Sequence, residues 1–107
     1  MRFLMVVARD DEPDTDLSDG RDIDTWVADT ESRGQRVLGE VLEPARLATT
    51  VRVRDGQVLR TTATVTEQVL GFDVLECADL DEAVAVAAAH PMARSGRIEL
   101  RPFLMLD

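Results

Sequence analysis

The chain opens on an uninterrupted apolar run, Phe3 to Ala8, rich in valine and bounded by charged residues. A run of that length and continuity predicts a strand buried on both faces. Residues 10–19 are polar and contain Pro13 without periodicity, which predicts a loop. Ile23, Trp26, Val27 and Thr30 then recur at i, i+3, i+4 and i+7, one stripe of a helix of about three turns. Gly34 supplies its stop. Val37 to Leu42 reads as a weak strand ended by Pro44. Thr50 to Thr61 alternates on either side of Asp55-Gly56, the signature of a hairpin with a type I′ turn. That turn sets Arg54 opposite Gln57, Val53 opposite Val58 and Arg52 opposite Leu59. Val51, Val53 and Val58 then share one face, with Arg52 and Arg54 on the other. Val69 to Cys77 is a further strand. Asp79 is a good N-cap with Glu82 three residues on, and Ala83 to Ala89 is strongly helix-forming. Pro91 forbids continuation. After a turn at Ser95-Gly96, Ile98, Leu100, Pro102 and Leu104 alternate with charged residues and Phe103 in a last strand.

The element order is β-α-β-hairpin-β-α-β. It predicts an α+β fold of ferredoxin-like plan, an antiparallel sheet with two helices on one face. At 107 residues the expectation is a single domain over 1–107. A core of that size is modest, so a homodimer interface is one way to bury more surface.

Charge narrows the partners. The net charge is −9 and every one of the twelve cations is arginine. That balance repels phosphate and anionic lipid, so neither nucleic acid nor a membrane is expected as a partner. The acids concentrate in the loop over 10–22 and just beyond, with Asp10, Asp11, Glu12, Asp14, Asp16, Asp19, Asp22 and Asp24 against Arg21 alone. They lack the oxygen spacing and terminal glutamate of a calcium loop, which leaves a solubilising loop. Met1 to Ala8 is too short for a signal-peptide core or a membrane span, so the expected location is cytoplasmic. A single cysteine, Cys77, excludes an intrachain disulfide.

Several stretches together resemble a known family. Leu70-Gly71-Phe72, Ala78-Asp79-Leu80-Asp81-Glu82-Ala83, His90-Pro91 and Gly96 followed by Ile98-Glu99-Leu100-Arg101-Pro102 are similar to the YCII-related proteins, as is Ala48 to Gly56. The likeness is nearest to the branch named for an Asp-Gly-Pro-Phe signature. It implies a ferredoxin-like subunit that pairs into a dimeric α+β barrel, with some enzyme-like members, one relative a dehydrochlorinase, and genes often beside those of extracytoplasmic-function sigma factors. Two features depart from the pattern. The signature tetrapeptide is absent from Arg60 to Gln68. Enzyme-like members also carry a histidine on the first helix and an acid before the proline after helix 2, where this chain has Ile23 and His90.

The candidate chemistry is short. His90 is the only histidine and the one side chain titrating near neutrality. It is either a helix-end residue capping a carbonyl or a general acid or base. A helix of about eleven residues runs back roughly 16 Å, which about five strand residues cover. Counting back from Cys77 reaches Phe72 or Asp73, so Asp73 could orient His90. Asp is disfavoured inside strands. The alternative is a face that is solvated or borders a dimer seam. Arg97, Glu99 and Arg101 share one face of the last strand, as a surface ladder or as a cavity lining in which Arg101 binds an anion. Trp26 is core, interface or pocket wall. Cys77 has nothing nearby to activate it and is structural. No metal-ligand spacing, phosphate loop or nucleophile elbow is present, so neither metal nor cofactor is expected. Two functions remain: a dimeric module binding a small molecule or protein partner, for which the family resemblance implies a sigma-factor-linked regulatory context, and a cofactor-free lyase or isomerase using His90 as general acid or base.

Overall fold

A computed structural model describes residues 1–17 and 22–105; Asp19 and Arg21 of the acidic stretch lie outside the described residues. The strands are β1 (Arg2–Arg9), β2 (Arg36–Val41), β3 (Thr50–Arg54), β4 (Gln57–Thr61), β5 (Val69–Glu76) and β6 (Gly96–Pro102). The helices are α1 (Ile23–Ser32), α2 (Leu80–Ala88) and the single turn α3 (Met92–Ser95), with a 3₁₀ turn at Ala45–Leu47. Strands β2, β5, β1 and β6 form a four-stranded antiparallel sheet in that order. This is the expected ferredoxin-like α+β arrangement.

Local chemistry explains the helix limits. Asp22 caps α1 through Thr25 N–H at 2.7 Å, a hydrogen bond that holds its carboxyl below the usual range. Asp22, expected in the acidic loop, therefore belongs to the helix start. Gly34 stops α1 at φ 69°, a left-handed conformation that suits glycine. Asp79 caps α2 through Glu82 N–H at 2.9 Å. Glu82 reaches one residue past a standard capping box, to Ala78 N–H at 2.6 Å. Pro91 ends α2 as expected but also starts α3, which the sequence pattern did not reveal. Its φ of −54° is already helical and its missing N–H is no loss in a first turn.

Phe3, Met5, Val7, Leu75 and Cys77 from the sheet pack against Trp26, Ala83, Val86 and Ala87 from the helices. Trp26 Nε1–H donates to Val86 O at 2.9 Å and so ties α1 to α2. Burial pushes the Cys77 thiol up to about 11, in keeping with a structural residue. The expectation that β1 is buried on both faces needs correction. Phe3, Met5 and Val7 are buried, but Leu4, Val6 and Ala8 alternate with them and are only half-buried, because no second layer covers that side. Among the described residues no helix is long and apolar enough to cross a membrane.

The hairpin has the expected register, with Val53 opposite Val58 and Arg54 opposite Gln57. Asp55 at φ 51° and Gly56 at φ 75° have the two positive φ angles of a type I′ turn. It forms a separate two-stranded sheet that does not join the other four strands.

Candidate functional site

The centre of the site is one position in β5. Val69 to Glu76 alternates, and Gly71, Asp73 and Leu75 point to the helix side. Asp73 is thus carried into the layer between sheet and helices, 6% exposed. A lone carboxylate there would be unfavourable. Its compensation comes from the edge strand. Arg36 Nε donates to Asp73 Oδ1 at 2.7 Å, and Arg36 Nη1 to Glu31 Oε1 at 2.6 Å. Burial alone would lower the pKa of Arg36; the hydrogen bonds and charges of Asp73 and Glu31 outweigh it, and the pKa rises. The guanidinium therefore stays charged.

Two backbone features make room for this pair. A register irregularity between Arg36 and Leu38 lets both Arg36 and Gly39, three residues apart, face the helix side. A regular strand would put them on opposite faces. Gly39 lies directly opposite Asp73, and a Cβ there would run into the carboxylate and into Arg36 Nη2. Sequence reasoning missed both residues. A glycine inside a short strand was the one available sign of close approach.

His90 follows the C-cap of α2 and is 6% exposed. Its Nδ1 accepts Met92 N–H at 2.9 Å. The neutral ring then carries its proton on Nε2. The ring meets Trp26 in a T-shaped contact, with centroids 4.6 Å apart and planes at 70°. Burial lowers the pKa of His90; Asp73 acts to raise it and Arg36 to lower it further. At neutral pH the imidazole is uncharged and presents a donor.

Asp73, Arg36 and His90 line one cavity of about 580 Å³ between α1, the β2 edge, β5 and the start of α3. The rest of its wall is largely apolar, including Val27, Val41 and Met92. The expected pair thus falls on the same side of the sheet and in the same cavity, though each residue takes its hydrogen bond elsewhere. Trp26 is 1% exposed and sits in the core behind His90, outside the cavity lining. Glu99 and Arg101 lie on the other side: β6 pairs Val6 with Glu99 and Leu4 with Arg101, on the uncovered face, where both are exposed. The structure therefore separates the five candidates into three places: Asp73 and His90 in the cavity, Trp26 in the core, and Glu99 and Arg101 on the open face. Among the described residues no three His, Cys, Asp or Glu side chains converge as a metal site would require.

No curated protein matches the chain. The family model described as the YCII-related domain matches residues 1–106. With that match over nearly its whole length, and with the ferredoxin-like sheet order beneath it, the chain belongs to the YCII-related family.

Proposed function

We propose that the protein is a homodimeric small-molecule-binding module whose ligand occupies the cavity beside His90. The observation that carries this reading is the neutral imidazole, its Nδ1 taken by the Met92 N–H, set in a mainly apolar cavity with a compensated Arg36–Asp73 pair. A few fixed polar groups on an apolar wall are what a ligand pocket requires. The ligand that suits it is a small, largely apolar molecule with a carbonyl, phenol or similar acceptor for His90 Nε2–H. Three half-buried apolar side chains on the uncovered sheet face, Leu4, Val6 and Phe72, support pairing of two copies.

The second reading, a cofactor-free proton-transfer enzyme, draws on the carboxylate of Asp73 in the same cavity. In it His90 acts as a neutral hydrogen-bond donor, because a ring with Nδ1 occupied and Nε2 protonated has no free lone pair to act as a base. Asp73 would be the base.

Titration with phenol, benzamide and benzoate, followed by NMR at the His90 imidazole and the Trp26 indole, separates the possibilities. Saturable shifts at His90 with a neutral probe, reduced in His90→Asn, are expected. Shifts confined to surface residues would contradict a ligand pocket. Proton exchange of a bound carbon acid, lost in Asp73→Asn while binding persists, would favour the enzyme.

A further inference from the structure

Three polar side chains in the cavity beside His90 each keep one atom free. Arg36 commits Nε to Asp73 and Nη1 to Glu31, Asp73 commits Oδ1 to Arg36, and His90 commits Nδ1 to Met92 N–H. That leaves Arg36 Nη2, Asp73 Oδ2 and His90 Nε2 without a partner among the described residues. None of the three is sealed in the interior, where the one unpartnered side-chain nitrogen or oxygen among the described residues is Gln35 Oε1. The space they open on is the cavity that all three residues line. Arg36 and Asp73 lie side by side there: a Cβ at Gly39 would be 2.6 Å from Nη2 and 2.8 Å from Asp73 Cγ. His90 is near enough for both charges to act on it. Asp73 and His90 are nearly buried, which leaves an acceptor and a donor for an occupant to meet.

These atoms specify chemistry. The N–H groups of Arg36 and His90 call for an acceptor with two lone pairs, such as a carbonyl oxygen. As a carboxylate paired with Arg36, Asp73 only accepts, and Oδ2 calls for an N–H or O–H on the ligand. Charge decides the rest. The lining has Asp22, Glu40 and Asp73 against Arg36, three acids to one cation, so an anion is repelled. A cation would be drawn to the acids but would lose its water against a largely apolar wall, with Asp73 already paired. A neutral amide has a carbonyl and an N–H side by side. It meets donors and acceptor together and brings no charge into the cavity.

We infer that the cavity selects a neutral amide or lactam on an apolar body, its carbonyl taking N–H from His90 Nε2 and Arg36 Nη2 and its N–H donating to Asp73 Oδ2. This deepens the small-molecule reading above and rests on it. The test is an NMR titration of the full chain, read at the His90 imidazole and the Trp26 indole, with four probes built on the same phenyl ring. Benzamide has donor and acceptor, acetophenone the acceptor alone, benzoate a negative charge and benzamidine a positive one. Benzamide is expected to bind tightest, with acetophenone at least about tenfold weaker, as the loss of a hydrogen bond to a charged group implies. Asp73→Asn gives the second readout. Its Oδ1 still accepts from Arg36 while its NH₂ replaces the acceptor facing the cavity, so the lead of benzamide over acetophenone is expected to vanish. The ranking in the unaltered chain decides even where that variant does not fold. Acetophenone binding as tightly as benzamide would overturn the amide while leaving the pocket. Benzoate or benzamidine binding tightest would overturn the preference for a neutral ligand, again leaving the pocket. No shift at His90 with any probe would overturn both readings.

Discussion

The two faces of the four-stranded sheet carry the same kinds of charged side chain and treat them differently. On the helix side, Asp73 and Arg36 form a 2.7 Å pair with 9% and 15% of their side chains exposed. On the uncovered side, Glu99 and Arg101 stand in a row with Arg97, exposed to solvent. Exposed pairs contribute little, because water screens them and their side chains lose freedom on pairing. A buried pair is not a reliable source of stability either, but breaking it leaves one charge stranded. Position relative to the helices, not residue type, decides which carboxylate and arginine matter.

The largest expected effect breaks that contrast at its strong end. Arg36→Leu leaves Asp73 without its partner and costs about 3–5 kcal/mol in urea unfolding. Arg36→Leu combined with Asp73→Leu recovers much of the loss. A cost below 1 kcal/mol for the single change would mean that water reaches Asp73 freely.

Gly39→Ala comes next. The added methyl meets the Asp73 carboxylate and Arg36 in register, and crowding of this kind costs about 1–3 kcal/mol. Thermal unfolding measures it, and a neutral result would mean that the edge strand can move aside.

A pH dependence sharpens the same side. Burial makes the folded pKa of His90 lower than its ordinary 6.5. Stability from the neutral ring is therefore full above about pH 6.5 and lost as pH falls through the folded pKa. His90→Gln flattens that part of the acid profile. Asp73→Asn removes the charge that raises the pKa of His90 and shifts the loss to lower pH. The smallest effects are on the open face, where Glu99→Gln and Arg101→Gln each change stability by no more than about 0.5 kcal/mol.

Much of the fold was legible because local chemistry and pattern agreed. The hairpin register followed from Asp55-Gly56, the start of α2 from Asp79 and Glu82, and the level of Asp73 with His90 from the lengths of α2 and β5. What was not legible is what tertiary pairing decides. Asp73 faces the helices because β5 lies between β1 and β2, and nothing local to Asp73 states that. Arg36 reaches it only through an irregularity in β2 that the mixed pattern of Val37 to Leu42 conceals. Glu99 and Arg101 fitted a surface ladder and a cavity lining alike, because alternation places them on one face without saying which layer covers it. α3 was hidden by reading Pro91 as a stop alone.

The measurement that tests the site most directly is a pH titration of the His90 imidazole by ¹⁵N-resolved NMR. The expected result is a ring protonated at Nε2 when neutral, with Nδ1 as acceptor from Met92 N–H, and a pKa below 6.5 that falls further in Asp73→Asn. A neutral ring protonated at Nδ1, or a pKa above 6.5 unchanged by Asp73→Asn, would contradict the account of His90 as an uncharged donor sharing its cavity with Asp73 and Arg36.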